Sequence, residues 1–299
     1  MPKAILHIGT MKTGTTSIQA ALAGNCDVLS DCGYSFFGPP MRHSSTLKPA
    51  LKSIKENADN LIISDEGLWH FANTKRSDTA KLAELLSGYD VTVLIYLRRP
   101  DSFLNSWFQQ GLKSGTGSGT MTEFLASSFV NTGLQFEKLI ANFDMLFGRG
   151  SVRLRPYERP QLHGGDAVSD FLHTVDLPIE RFNIPKRSNE TPDTDDLLLR
   201  SLLRRPSDHA QKMSAQLDKV EKHLDRYGYK GRRYSLLTRE ELTRLNDTYK
   251  PIFRTLQEKY GGGDNSDFFQ SWANPDDVNE GLLGLRKTQE AIMRLASIK

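Results

Sequence analysis

The chain has 299 residues, a length that suits one large domain or two ordinary ones. At 38% hydrophobic and 25% charged it can bury a sizeable core, which argues against a disordered or fibrous chain. Its 39 Lys and Arg against 36 Asp and Glu leave a formal charge of +3, too even for bulk attraction to nucleic acid, so any anion site has to be built locally. Ala4-Ile5-Leu6-His7-Ile8 is short, apolar and stopped by Gly9, which predicts a buried strand. It carries no cleavage-site pattern and does not read as a signal peptide. Residues 17–23 are good helix formers closed by Gly24. Two cysteines, Cys26 and Cys32, are too few for a disulfide scaffold or a four-cysteine zinc module. They suit a reducing compartment and read as small buried residues.

Leu61-Ile62-Ile63-Ser64 predicts a second buried strand, and Thr79 to Ser87 has leucines at helical spacing. Val91 to Leu97 is the strongest strand signal, rich in β-branched residues. Pro100 follows it, then a predicted helix from Ser102 to Leu112. Ser114-Gly-Thr-Gly-Ser-Gly-Thr120 reads as a mobile loop. A helix over 134–147 carries Phe136, Leu139, Ile140, Phe143 and Phe147 on one stripe, and Val152 to Leu154 is a last strand. Buried strands alternating with helices predict an α/β fold: a parallel sheet flanked by helices on both faces. From Thr191 to Tyr260 the chain is charge-rich with leucines at helical spacing, a set of solvated amphipathic helices. Thr238 and Glu241 form a capping box there, and Pro251 predicts a kink or a shifted boundary. The chain is thus expected as a single domain over 1–299, an α/β core to about 190 with a helical C-terminal extension over 191–299. No apolar run approaches the roughly 20 residues of a membrane helix. A cytoplasmic protein with no integral membrane segment and no nucleic-acid partner is the expectation.

The first strand runs into Gly9-Thr10-Met11-Lys12-Thr13-Gly14-Thr15-Thr16. Strand, glycine loop and helix together make a phosphate cradle, because free backbone N–H groups and the helix dipole face the anion. The spacing follows the nucleotide P-loop, but Thr15 stands where that loop has its lysine, and the lysine sits at 12. The strong strand ends in Leu97-Arg98-Arg99-Pro100-Asp101, with Ser106 eight residues beyond Arg98. A guanidinium with a hydroxyl grips a second phosphate well; the plainer alternative pairs Arg98 with Asp101.

Together the two motifs resemble sulfotransferases that use 3′-phosphoadenosine 5′-phosphosulfate (PAPS), closest in motif to the glycan sulfotransferases. The loop matches their 5′-phosphosulfate motif, with Met11 where proline is usual, and Arg98 with Ser106 matches their 3′-phosphate motif. Lys230-Gly231-Arg232-Arg233-Tyr234 resembles the basic loop that closes over the 3′-phosphate. The resemblance covers residues 3 to 160 and is loose beyond; it implies a P-loop-NTPase-like three-layer sandwich with a helical C-terminal extension. It implies sulfuryl transfer from PAPS to a hydroxyl or amine, a carbohydrate among the acceptors, with no metal required. It implies that Lys12 neutralises charge on the leaving phosphate, and that Thr13, Gly14, Thr15, Thr16 and Ser17 hold the 5′-phosphosulfate. Arg98 and Ser106, with Lys230, Gly231 and Arg232, would hold the 3′-phosphate.

Transfer also needs a base. Glu66, at the end of the second strand, is the first candidate; His43 and His70 follow. The plainer alternative for Glu66 is a structural ion pair with Lys12 or Arg98. His7, inside the first strand, reads as a packed histidine. Trp69, Trp107 and Phe108 line either an acceptor cleft or the core. Two other readings stay open. Leu61 to Glu66 also fits a strand bearing the acid pair of a P-loop NTPase or small-molecule kinase, with Mg²⁺ on Asp65. An anion-binding module that acts by interaction, without catalysis, is the other.

Overall fold

The structure is a computed structural model. It describes residues 1–10, 12–40, 45–46, 49, 52, 60–69, 76–114, 119–184, 194, 197–198, 234–261, 266–279, 281 and 283–297. Residues 115–118 of the Gly/Ser/Thr segment lie outside these, as does most of the charge-rich stretch before Tyr234.

The strands are β1 (Lys3–Gly9), β2 (Tyr34–Phe37), β3 (Asn60–Ser64), β4 (Asp90–Leu97) and β5 (Val152–Pro156). They pair in parallel in the order β2-β3-β1-β4-β5. Helices α1 (Thr15–Ala23), α2 (Cys26–Asp31), α3 (Arg76–Leu85), α4 (Pro100–Ser114), α5 (Met121–Ala126), α6 (Ser128–Gly133), α7 (Phe136–Phe147), α8 (Ala167–Thr174), α9 (Arg239–Tyr260) and α10 (Gly284–Ser297) follow in chain order. This is the expected parallel sheet flanked by helices. The α4 helix starts at Pro100 rather than Ser102, because proline has no N–H to lose in a first turn and its φ is already helical.

Alternation along the strands sorts the core into two faces. Ile5, Ile62, Leu94 and Tyr96 cluster with Ile18 and Leu22 of α1 and Phe171 and Leu172 of α8. The intervening residues Leu6, Ile8, Leu61, Ile63, Val93 and Ile95 are just as buried, and α7 packs against β4 and β5. Five of these elements were not expected: α5, α6, α8 and two short ones at the edge of the sheet. The β2 strand is a half-buried edge strand of four residues, and α2 is a helix of six. Both are too short to set up a period in the sequence. Cys26 is exposed and Cys32 half-buried, so neither is the buried residue expected. Cys26 starts the short α2 at the surface, while Cys32 just beyond it packs against the edge of the core.

The chain divides into two compact units. One comprises Met1–Phe103, Thr132–Arg187 and Asp247–Trp272, and it contains the sheet. Within it the buried Asp170 carboxylate accepts from Tyr96 Oη at 2.7 Å, Arg155 Nε at 3.1 Å and the His163 amide at 2.8 Å, with a further bond from Arg155 Nη2. These bonds satisfy a charge that would otherwise be costly to bury. They tie α8 to the ends of β4 and β5. Burial first, and then the Asp170 charge, push the Tyr96 pKa up.

The other unit comprises Leu104–Asn131, Ser188–Asn246 and Ala273–Lys299. Its buried Arg286 donates to both oxygens of Glu241 at 2.6 and 2.8 Å and to Glu290 at 3.0 Å, and also reaches the Leu236 carbonyl. The capping box forms as expected. Thr238 N–H donates to Glu241 Oε2 at 2.8 Å, and Glu241 N–H to Thr238 Oγ1 at 3.2 Å. The α9 helix continues through Pro251 instead of ending there. The proline is exposed, and Phe253 and Leu256 beyond it are buried, so packing outweighs the lost backbone bond.

Candidate functional site

Register places three strand ends side by side. His7 of β1 pairs with Ser64, the last residue of β3, and Gly9 of β1 pairs with Tyr96 of β4. The glycine loop therefore leaves the sheet between the segment carrying Glu66 and the segment carrying Arg98. Carboxyl ends at such a divergence of strand order are where open α/β sheets bind ligands.

The loop is fixed by its own short side chains. Thr10 N–H donates to the Tyr96 carbonyl at 3.0 Å, and the Arg98 N–H donates back to Thr10 Oγ1 at 3.2 Å. Thr13 Oγ1 donates to the Thr10 carbonyl at 2.7 Å. That hydroxyl lies over Gly9, where an added Cβ would come within 2.2 Å of it. Lys12 and Gly14 both have left-handed backbones, φ 71° and 78°. Gly14 is the N-cap of α1 and offers no side-chain cap, so the first amides of the helix face the loop rather than a capping oxygen. Lys12 and Thr16 are exposed and Ser17 is half-buried. Thr13 and Thr15 are buried, with hydroxyls 3.4 Å apart. Their side chains close the loop on itself, while Lys12, Thr16 and Ser17 lie nearer its surface.

Arg98 joins the second motif to the first. Its Nη1 donates to the Lys12 carbonyl at 3.0 Å and its Nε to Ser102 Oγ at 2.8 Å. Its guanidinium lies 5.8 Å from the centre of the Tyr157 ring, a cation–π distance. Burial lowers the Arg98 pKa, opposed by Tyr157 and Asp101 and reinforced by Arg99. The neighbouring Asp101 is gripped by Arg99, at 2.6 and 3.1 Å, and Arg99 also reaches the Ser271 carbonyl at 2.7 Å. A cleft of about 240 Å³ opens here, lined by Arg98, Arg99, Arg159, Ser102, Tyr157 and Ser271 among others. Glu158 also lines it. Burial raises the pKa of that carboxyl, but bonds from Gln161, Ser271 and the amides of Gln270 and Ser271 outweigh this and hold it below the usual range. Ser106 is half-buried on α4, in the second unit.

At the end of β3, Glu66 is half-buried and accepts from Gln19 Nε2 at 3.0 Å. Asp65 is buried, and its Oδ1 accepts the Gly67 amide at 2.8 Å, closing its own turn. His7 is fully buried, its Nδ1 2.8 Å from Ser64 Oγ. Burial pushes its pKa down to about 3, so it is a neutral packed histidine near pH 7. Trp69, Trp107 and Phe108 are all core residues. Trp69 donates from Nε1 to the Gly133 carbonyl at 3.0 Å. His43, His70, Lys230, Gly231 and Arg232 lie outside the described residues. Sequence reasoning missed Gln19, Ser102, Tyr157 and Arg159. Gln19 did leave a signal, standing one helical turn after Thr15 on the helix the loop opens. Among the described residues no three His, Cys, Asp or Glu side chains are grouped to hold a metal ion, and no helix is long and apolar enough to cross a membrane.

No family model matches the chain, and no curated protein does. Among solved structures it is similar to the crystal structure of a sulfotransferase from Alicyclobacillus acidocaldarius. The identity is 15% over 74% of this chain and 95% of that one, with a TM-score of 0.42. The functional reading therefore rests on the chain's own residues.

Proposed function

We propose that the protein is a sulfotransferase, moving a sulfuryl group from PAPS to a hydroxyl or amine acceptor, a carbohydrate among the candidate classes. The observation that carries this reading is the hydrogen bond from Arg98 to the Lys12 carbonyl. It joins two motifs 86 residues apart, each suited to one phosphate of a doubly phosphorylated nucleotide. In the proposed reaction the acceptor oxygen or nitrogen attacks sulfur. The bond from sulfur to the 5′-phosphate oxygen breaks, and the acceptor proton passes to Glu66. Lys12 and the amides at the start of α1 take up the charge that builds on the departing phosphate, an electrostatic role of the kind that dominates such transfers. Arg98 holds the 3′-phosphate, with Ser102 already in reach of the guanidinium. Ser106, His43 and the loop of Lys230, Gly231 and Arg232 belong to the proposal on sequence alone. A cytoplasmic setting belongs to it too, supported by two cysteines that form no disulfide.

Calorimetric titration with 3′,5′-adenosine bisphosphate and with ADP tests the reading. The bisphosphate should bind at least tenfold more tightly, without Mg²⁺. Equal affinities, or tighter ADP binding that needs Mg²⁺, would favour a nucleotide hydrolase or kinase. Tight bisphosphate binding with no transfer to any of a broad acceptor panel would favour a non-catalytic anion-binding module.

A further inference from the structure

Gln19 is joined to more of the candidate site than any single motif explains. Its Nε2 lies 3.0 Å from Glu66 Oε2, 3.2 Å from Ser64 Oγ and 3.4 Å from the Ser64 carbonyl. A side-chain amide nitrogen has two hydrogens. One serves the Glu66 carboxylate, and the other points at the two Ser64 oxygens. The orientation of the amide is set by these partners. A flipped amide would bring its carbonyl oxygen against a carboxylate oxygen and a backbone carbonyl, with no hydrogen between them.

Ser64 is in turn fixed from behind. It is fully buried, and its Oγ is 2.8 Å from His7 Nδ1. His7 itself is wedged edge-on to Tyr96, with ring centres 5.6 Å apart, and against Phe171 at 5.1 Å. The sheet core therefore fixes Ser64, Ser64 fixes Gln19, and Gln19 fixes Glu66. Gln19 also rides on α1, one turn from Thr15, so the helix that opens the anion loop carries the donor that orients the carboxylate.

Resting on the assignment of Glu66 as base, we propose that Gln19 is a positioning residue for the transfer: its amide holds the Glu66 carboxylate in line with the anion loop, and the His7–Ser64 pair holds the amide. A glutamate half-open to solvent otherwise samples several rotamers, and misplacement of a catalytic group by about 1 Å costs on the order of a hundredfold in rate.

The test is a double-mutant cycle in the full chain. It reads sulfate release from PAPS with water as the acceptor, and 3′,5′-adenosine bisphosphate affinity by calorimetry. Gln19→Met should lower the release rate about tenfold or more while changing the bisphosphate Kd less than about twofold. In a Glu66→Gln background the same substitution should cost nothing further. An equal loss in both backgrounds would overturn the proposal, because a packing defect does not need Glu66. So would no loss from Gln19→Met where Glu66→Gln alone is impaired, and that result leaves the base assignment standing. No loss from Glu66→Gln overturns the base assignment and the positioning role with it. Gln19→Leu also removes the donor, with a different apolar shape, and is the second variant should Gln19→Met melt early. It should be slower than the parent by about as much as Gln19→Met, and a rate restored to that of the parent would overturn the role.

Discussion

Arg98 Nη1 donates to the carbonyl oxygen of Lys12 at 3.0 Å, so the end of β4 braces the loop that leaves β1. One guanidinium thus shapes the loop and faces the cleft beside it. A hydrogen bond from a charged group is worth about 1.5–3 kcal/mol, roughly ten- to over a hundredfold in affinity. Arg98→Met should weaken 3′,5′-adenosine bisphosphate binding within that range. ADP should weaken less, since it loses the brace but has no 3′-phosphate to lose. Calorimetry on both ligands checks this, and an equal loss for the two would remove Arg98 from the 3′-phosphate site.

Lys12 has φ 71°, in the left-handed region. For a residue with a Cβ that conformation costs about 1–2 kcal/mol, and glycine escapes most of the cost. Lys12→Ala and Lys12→Gly both delete the cation, so both should lose turnover. They should differ in stability, with the glycine variant the more stable by about 1 kcal/mol. Denaturant melts of the pair decide it. An alanine variant as stable as the glycine one would mean that the loop relaxes out of the left-handed turn.

Gly14 has two constraints that can be separated. Its φ is 78°, and a Cβ there would sit 2.8 Å from the Cβ of Ala167 at the start of α8. Gly14→Ala should cost about 1–3 kcal/mol, the usual range for strain and overpacking. Adding Ala167→Gly removes the contact but not the strain, so the double variant should recover only part of the loss. Full recovery in a thermal melt would show that the backbone angle carries no cost.

His7 gives a pH signature of folding. Its pKa is pushed down to about 3 by burial, against an ordinary 6.5. Between those values the unfolded chain binds a proton that the folded chain refuses, so stability falls as pH drops from about 6.5 toward 3. The limiting slope is about 1.4 kcal/mol per pH unit. His7→Asn keeps an amide nitrogen near the Nδ1 position and removes the titration. Whatever that substitution costs near pH 7, the lead of the parent over the variant should narrow on acidification. Urea unfolding at several pH values measures it, and a constant lead would show that His7 protonates without unfolding.

Much of the architecture is local information, and so was legible in the sequence. The apolar runs at residues 4–8, 61–64 and 91–97 became β1, β3 and β4, because a strand buried on both faces needs no partner to declare itself. The glycine loop and the Thr238–Glu241 capping box were legible for the same reason, since their geometry closes within a few residues. The edge strand Tyr34–Phe37 was not, although two phenylalanines and a tyrosine between Gly33 and Gly38 are its trace. Which residues meet was decided only by the sheet order. Spacing pointed Arg98 toward Ser106 or Asp101, but the fold gives it Ser102 and the Lys12 carbonyl, and gives Asp101 to Arg99. Glu66 meets Gln19 across 47 residues because β3 lies beside β1. Length, composition and a charge of +3 determined that a core would form and that any anion site had to be local. Only the tertiary structure placed Lys12 beside Arg98 and Gln19 beside Glu66, because adjacency between strand ends is set by long-range pairing that no short stretch of sequence encodes.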